Sequence, residues 1–101
     1  MATDGIPVIP MHPREVLLHE FMEPMGVTQT ALARHIDVPI RRVNEICRGK
    51  RGITAETAWL LGQAFGVSAQ SWLNLQSLYD LAMARKEHRL RNVPVMDAAS
   101  V

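Results

Sequence analysis

Five side chains on one short segment are of the chemical types that can bond or pack against the edges of DNA base pairs. They are Ile40, Arg41, Asn44, Glu45 and Arg48. An arginine forms two parallel hydrogen bonds with guanine, an asparagine pairs with adenine, and an isoleucine can contact the methyl group of thymine. On a helix, Val43 and Ile46 lie three positions apart and share the opposite side. The segment therefore predicts a helix that packs through one side and presents a base-reading side.

The residues before this helix have the spacing of a helix-turn-helix, in which two short helices cross closely. Gln29 begins the first helix, and the small Ala33 is expected at the crossing point. Asp37 lies in the turn, and the second helix is expected from Pro39 to about Arg48. Many such motifs have glycine at the position of Asp37. Aspartate tolerates a left-handed backbone better than most residues, so we expect the turn to be kept.

Basic side chains are concentrated around the second helix, although the net charge of the chain is only +1. Six of the eleven lysine and arginine residues lie between residues 34 and 51. Such a band is typical of a phosphate-binding face. The predicted phosphate contacts are Thr28, Gln29, Arg42, Lys50, Arg51 and Thr54. The first two lie at a helix N-terminus, which favours phosphate, and Arg42 has an alternative as the partner of Glu45.

Composition indicates one all-α domain. The chain has 101 residues, of which 48% are hydrophobic and only 5% aromatic, and no stretch alternates with the period of a strand. Five helices are expected, at residues 14–22, 29–36, 39–48, 55–65 and 69–85. Their predicted ends are Pro24 with Gly26 for the first helix and Gly66 for the fourth, and Thr28, Thr54 and Ser68 are the predicted N-caps. Residues 1–12 are expected to form an extended arm, residues 13–85 the domain and residues 86–101 a mobile tail.

The fifth predicted helix has more apolar surface than one face can hold. One side gathers Trp72, Leu75, Tyr79, Ala82 and Met83, with Leu78 at its border. A second seam consists of Leu73, Ser77, Leu81 and Ala84. A monomer would leave one seam in water, so we expect the second seam to form a homodimer. The open alternative is a helix covered on both sides by the arm or the tail.

The residue types that could act in catalysis or bind a metal lack the spacing that these roles require. The four histidines are scattered, and no metalloprotease, phosphate-loop or nucleophile-elbow motif occurs, so we expect no catalytic residues, no metal and no cofactor. The single cysteine, Cys47, is expected to be a half-buried hydrophobic residue. The N-terminus has no signal-peptide pattern, and no apolar run approaches the ~20 residues of a membrane span. A cytoplasmic protein is expected.

Several strings of residues resemble the short HigA-type (also called VapI-type) antitoxins of bacterial toxin–antitoxin modules. They are His12-Pro13, Glu15-Val16-Leu17, Ala31-Leu32-Ala33, the run from Arg41 to Ile46, the run from Arg48 to Thr54, Trp72-Leu73-Asn74-Leu75-Gln76 and Tyr79-Asp80-Leu81. The resemblance extends from residue 12 to about residue 85. The helix-turn-helix alone is generic, but its combination with the RGKRGIT and WLNLQ strings is specific.

The resemblance implies a five-helix, lambda-repressor-like fold and a dimer that binds a palindromic double-stranded operator. It also implies a partner, a HigB-type ribonuclease toxin that cleaves messenger RNA, which the antitoxin neutralises while it represses their shared promoter. Two positions depart from the family pattern, Asp37 in the turn and Arg14 in the first helix, where glycine is common. Two other functions stay open: a stand-alone phage-type repressor without a toxin, and a protein-binding inhibitor that no longer reads DNA.

Overall fold

The chain folds into five helices in the part that the computed structural model describes, residues 11–88 and 92–97. We number them α1 (residues 13–25), α2 (Gln29–His35), α3 (Ile40–Cys47), α4 (Ala55–Phe65) and α5 (Ala69–His88). No strand occurs within these residues. The all-α prediction and the five-helix architecture are therefore confirmed.

Helix α1 changes between α-helical and π-helical geometry along its length. It consists of an α-helical turn at Pro13–Glu15, a π-helical segment at Val16–Met22 and a second α-helical turn at Glu23–Met25. The prediction that Pro24 ends the helix was wrong, since the helix continues to Met25. The wider π-helical turn leaves room for a proline ring, which in a regular α-helix clashes with the carbonyl four residues earlier. Gly26, with a φ of 67°, terminates the helix.

The turn between α2 and α3 has the predicted left-handed backbone at Asp37, whose φ is 57°. The side chain of Thr28 caps α2 by accepting a hydrogen bond from the N–H of Ala31 at 3.0 Å. Helix α3 begins at Ile40, one residue later than predicted, because Pro39 keeps an extended backbone with a ψ of 141°. The helix-turn-helix thus forms with the predicted Thr28 cap on α2, and Pro39 precedes α3 without a side-chain cap.

The last two helices also begin and end at the expected signals. Thr54 caps α4 through the N–H of Thr57, and Gly66 ends it with a φ of 73°. The hydroxyl of Ser68 accepts a hydrogen bond from the N–H of Ser71 at 3.1 Å and so caps α5. Helix α5 extends to His88, slightly beyond the predicted end at about Arg85.

One hydrophobic core joins all five helices. Its buried apolar residues are Leu17, Met22, Leu32, Ala33, Ile36, Val43, Ile46, Cys47, Ile53, Ala58, Leu61 and Trp72. Trp72 lies against Phe21, with ring centroids 5.4 Å apart. Cys47 was predicted to be half-buried but is fully buried beside Met22, its Sγ 4.0 Å from the Met22 Sδ. Burial raises the pKa of its thiol.

Helix α5 exposes apolar side chains on its outer side. Leu81 is 65% exposed and Leu78 is 58% exposed. Of the other residues in the predicted dimer seam, Ser77 is exposed, whereas Leu73 and Ala84 are half-buried. Leu73 packs partly against the core of its own chain. The structure contains one chain, so the dimer stays a prediction.

The predicted arm and tail fall largely outside the described residues. Of residues 1–12, only Met11 and His12 are described, and in the tail residues 89–91 and 98–101 are not. His12 caps α1 by accepting a hydrogen bond from the N–H of Arg14 at 3.1 Å. Within the described residues, no helix combines the length and the apolar character that a membrane span requires.

Candidate nucleic-acid interface

Helix α3 has one side in the core and the other in solvent, as predicted. Val43 and Ile46 are buried. The α2 residue Ala33 is also buried, which agrees with its predicted place at the helix crossing. On the other side, the Arg41 side chain is 87% exposed, and Ile40 and Arg48 are exposed as well. Close packing of α2 on α3 therefore fixes which side of α3 faces solvent.

Asn44 lies at the edge of this exposed side and is anchored to α2. Its Nδ2 donates a hydrogen bond to the Oε1 of Gln29 at 3.1 Å. The amide nitrogen carries two hydrogens and the amide oxygen accepts, so one N–H and the oxygen stay free for a second partner. Those two groups are what adenine requires. The bond leaves Asn44 able to read a base and restricts its orientation.

Glu45 lies between two arginines. The Nε of Arg41 donates to its Oε2 at 3.1 Å, and the Nε of Arg51 donates to its Oε1 at 3.0 Å. The Nη2 of Arg51 is also 3.0 Å from Oε1. Hydrogen bonds from Arg51 and then from Arg41 lower the pKa of Glu45. The carboxylate predicted to read a base is thus engaged by two neighbouring guanidinium groups.

Arg42 points away from this cluster. Its Nη1 lies 3.1 Å from Oε1 of Glu56, near the start of α4. The alternative pairing of Arg42 with Glu45 is therefore wrong. Arg42 follows Arg41 by one position, about 100° around the helix, which turns it towards α4. In the part of the chain that the structure describes, Glu45 forms ion pairs with Arg41 and Arg51 only.

The basic turn that follows α3, residues 49–52, is held by a contact from α5. Gly49 has a φ of 75° and closes α3. The Oε1 of Gln76 accepts a hydrogen bond from the N–H of Ile53 at 2.8 Å. A Cβ at Gly52 would lie 3.2 Å from the Gln76 amide carbon, so glycine allows this close approach. Lys50 and Arg51 remain exposed on the turn.

Sequence reasoning missed two residues that shape this surface, Gln76 and Glu56. Gln76 occurs in the WLNLQ string, which marks it as a family feature but does not reveal its partner 23 residues away. Glu56 is separated from Arg42 by 14 residues. Helical periodicity relates residues three or four positions apart, so neither contact could be found from spacing.

Thr28 and Thr54 use their hydroxyl groups to cap helices. Thr28 accepts from the N–H of Ala31. Thr54 accepts from the N–H of Thr57 and donates to the Thr57 hydroxyl oxygen at 3.2 Å. The predicted contacts of these two residues with phosphate, like the other base and phosphate contacts, stay predictions.

Two histidines, His12 and His19, have partners in their local structure. His12 stacks on Tyr79, with ring centroids 4.4 Å apart, and burial followed by the charge of Arg14 lowers its pKa. The Nε2 of His19 lies 3.0 Å from Oε1 of Glu15, and its Nδ1 lies 3.0 Å from Oε1 of Glu23. The hydrogen bond that the His19 ring donates to Glu23 is the main reason that the pKa of His19 is raised. Within residues 11–88 and 92–97, no three side chains with metal-binding groups lie together.

Comparison with known proteins identifies the family. A family described as helix-turn-helix matches residues 18–72, more than half of the chain. The chain is 48% identical to Virulence-associated protein I of Dichelobacter nodosus over 83 residues, which is 82% of this chain and 77% of that protein. It is also 42% identical to the solved Pseudomonas aeruginosa antitoxin HigA with higBA promoter, with a TM-score of 0.76, covering 84% of this chain and 99% of that one. The chain belongs to the HigA family of helix-turn-helix proteins.

The HigA-family chain is similar to a second DNA-bound structure. It is 33% identical to antitoxin GraA in complex with its operator, with a TM-score of 0.78, covering 87% of this chain and 95% of that one. The resemblance to HigA-type antitoxins is confirmed. The region that the helix-turn-helix family matches contains α2, α3, the basic turn and α4, and so it includes the whole candidate surface from Thr28 to Thr54.

Proposed function

We propose that this HigA-family chain is an antitoxin that binds operator DNA as a homodimer, represses its own operon and neutralises a HigB-type mRNA-cleaving toxin in the cytoplasm. The proposal gives the chain a binding role and no catalytic one. The observation that carries it is the exposed side of α3. Val43 and Ile46 anchor this helix in the core while the Arg41 side chain is 87% exposed beside the basic turn.

In this proposal the exposed side of α3 enters a major groove. Arg41 and Arg48 present guanidinium groups, Asn44 presents an amide, and Ile40, which is 50% exposed, presents an apolar group to a thymine methyl. Lys50 and Arg51 follow on the basic turn and would contact the phosphate backbone. The solved HigA and GraA structures with promoter or operator DNA support this assignment through their similarity to the chain.

Dimerisation would give the protein two reading helices. Leu81 of the predicted dimer seam is exposed, as is Leu78 outside the seam, three positions earlier on α5, and a second copy would cover this apolar surface. A two-fold dimer of helix-turn-helix domains places its reading helices about 34–36 Å apart, in consecutive major grooves on one side of the duplex. The operator is then expected to be palindromic, with half-sites related by the same two-fold axis.

Selection from a random pool tests DNA binding and needs no assumption about the operator sequence. The wild-type chain is incubated with random 30-base-pair duplexes, bound duplexes are amplified and sequenced, and the selected duplex is titrated against a scrambled duplex of the same composition. We expect a palindromic preference and an affinity that falls with salt, with a logarithmic slope of about −0.9 for each neutralised phosphate. A pool that stays random after selection would contradict the DNA-binding role.

Co-expression tests the antitoxin role separately. The chain is expressed with the product of the adjacent gene, and growth and complex formation are measured. We expect the neighbour alone to arrest growth, and the pair to grow normally and to purify as a complex. A harmless neighbour that forms no complex, together with selective DNA binding, would leave the stand-alone repressor as the function.

A further inference from the structure

The two oxygens of the Glu45 carboxylate are each held by a different arginine. Arg41 bonds Oε2 from the same helix, and Arg51 bonds Oε1 from the basic turn. The Glu45 side chain is only 24% exposed, whereas that of Arg41 is 87% exposed. The carboxylate is therefore a partly shielded anchor, and the guanidinium group of Arg41 extends from it into solvent.

The atoms used in these bonds leave the DNA-binding atoms of Arg41 free. Arg41 bonds Glu45 through Nε, and its two terminal nitrogens form the fork that donates to O6 and N7 of guanine. A hydrogen bond at Nε restricts the rotation of the guanidinium group before DNA arrives. Binding groups that are already ordered avoid that entropic cost in the complex.

We propose that Glu45 is a positioning residue that sets the sequence specificity of this surface by holding Arg41 and Arg51 in a fixed relative arrangement. The proposal rests on the DNA-binding function proposed above. Arg41 reads a base and Arg51 contacts the backbone, so one carboxylate fixes the base contact relative to the phosphate contact. Glu45 itself contacts no base.

The negative charge of Glu45 also favours sequence specificity, because it weakens non-specific binding. Non-specific binding depends on cations that neutralise phosphates, and a carboxylate between two arginines lowers the potential of that patch. The ionised form is favoured because hydrogen bonds from both arginines lower the pKa of Glu45. Replacement of Glu45 should therefore weaken binding to the selected duplex and strengthen binding to a scrambled one.

The test measures the ratio of affinities for the selected and the scrambled duplex in four proteins: wild type, Glu45→Gln, Glu45→Asp and Glu56→Gln. Glu45→Asp keeps the charge but shortens the side chain by one methylene, so we expect its carboxylate to lose at least one of the two arginines. Glu56→Gln is the matched control, because it removes the same charge from a carboxylate that pairs with Arg42 away from the cluster. Circular dichroism and thermal unfolding establish that each variant is folded.

We expect both Glu45 variants to lower the ratio by about tenfold, since a lost bidentate guanine contact is worth roughly 5- to 150-fold in discrimination. In Glu56→Gln both affinities should change together and the ratio should stay within about twofold. Glu56 pairs with Arg42, a predicted phosphate contact, and phosphate contacts carry no sequence information. A ratio in the Glu45 variants that equals that of Glu56→Gln would overturn the proposal.

Repeated selection distinguishes positioning from direct base reading. If Glu45 acts through Arg41, Glu45→Gln and Arg41→Ala lose preference at the same base-pair position, and Glu45→Gln alters the preference at no further position in an Arg41→Ala background. Loss at a different single position would show that Glu45 reads a base and would overturn the proposal. If the wild type shows no preference at all, the DNA-binding function fails; if the wild type is selective and the Glu45 variants are equally selective, only this inference fails.

Discussion

The Nδ2 of Asn44 donates to the Oε1 of Gln29 over 3.1 Å, which ties the middle of α3 to the first residue of α2. This amide pair is only partly buried, whereas Ala33 of α2 and Val43 of α3 are buried in the core. The orientation of α3 is thus fixed by apolar packing beneath it and by a side-chain amide pair at its edge. A polar pair at a solvent edge adds little stability, so its expected effect is on recognition.

Gln29→Ala should weaken binding to the selected duplex by about five- to tenfold, because Asn44 loses its fixed orientation and the predicted phosphate contact of Gln29 is removed. Fluorescence anisotropy measures the change. The matched control is Gln70→Ala, which removes an exposed amide that bonds Asn74 at 2.9 Å on α5. Equal affinities of Gln29→Ala and wild type would show that the amide pair has no role in recognition.

Leu61→Ala should reduce the free energy of unfolding by about 2–5 kcal/mol, because Leu61 is buried in the core and the substitution leaves a cavity. Urea unfolding at a fixed protein concentration measures this. Val93→Ala truncates a side chain that is 74% exposed and should change stability by less than about 0.5 kcal/mol. Similar losses in the two variants would argue against the observed core.

Asp37 and Gly66 share a left-handed backbone, with φ values of 57° and 73°. Gly66→Ala should destabilise the fold by about 1 kcal/mol, because a side chain is strained in this region even where no atoms crowd it. Asp37→Gly relieves the same strain and should be neutral or stabilising by up to about 1 kcal/mol. Thermal unfolding of both variants measures these changes in stability. A clear loss of stability in Asp37→Gly would show that the aspartate side chain stabilises the turn.

His19 should make stability depend on pH. Its folded-state pKa is raised above 6.5 by Glu23, so its contribution is full below about pH 6.5 and is lost as the pH rises through the folded pKa. We expect the unfolding temperature to fall slightly from pH 6 to pH 8, and His19→Gln to flatten this slope. His35→Gln removes another exposed histidine and serves as the control. A slope that persists in His19→Gln would assign the pH dependence to other groups.

Local signals in the sequence predicted most of the fold. Thr28, Thr54 and Ser68 cap helices because their hydroxyl oxygens accept hydrogen bonds from backbone N–H groups in the first turn. Glycine ends helices because it readily adopts a left-handed backbone. The period of the α-helix also placed Val43 and Ile46 inward and Arg41 outward. These features depend on residues within a few positions of each other.

The remaining features depend on contacts between distant segments. The pairing of Arg42 with Glu56 and of Ile53 with Gln76 follows from how α3, α4 and α5 pack, which spacing does not encode. Pro24 was misassigned because a π-helical turn has no simple sequence signal. Glu45 was assigned to base reading on its position alone. Its pairing with Arg41 is an i,i+4 contact that helical spacing allows, whereas its pairing with Arg51 becomes visible only once the basic turn folds back on α3.

The affinities of Arg41→Ala and Lys50→Ala for the selected and scrambled duplexes test the central claim, that the exposed side of α3 reads DNA. Arg41→Ala should lose about 1–3 kcal/mol on the selected duplex, much less on the scrambled one, and relax preference at one position. Lys50→Ala should weaken both about equally and reduce the salt slope by about 1. If Arg41→Ala instead weakens both duplexes equally, α3 does not read bases through Arg41, and the account of the surface is wrong.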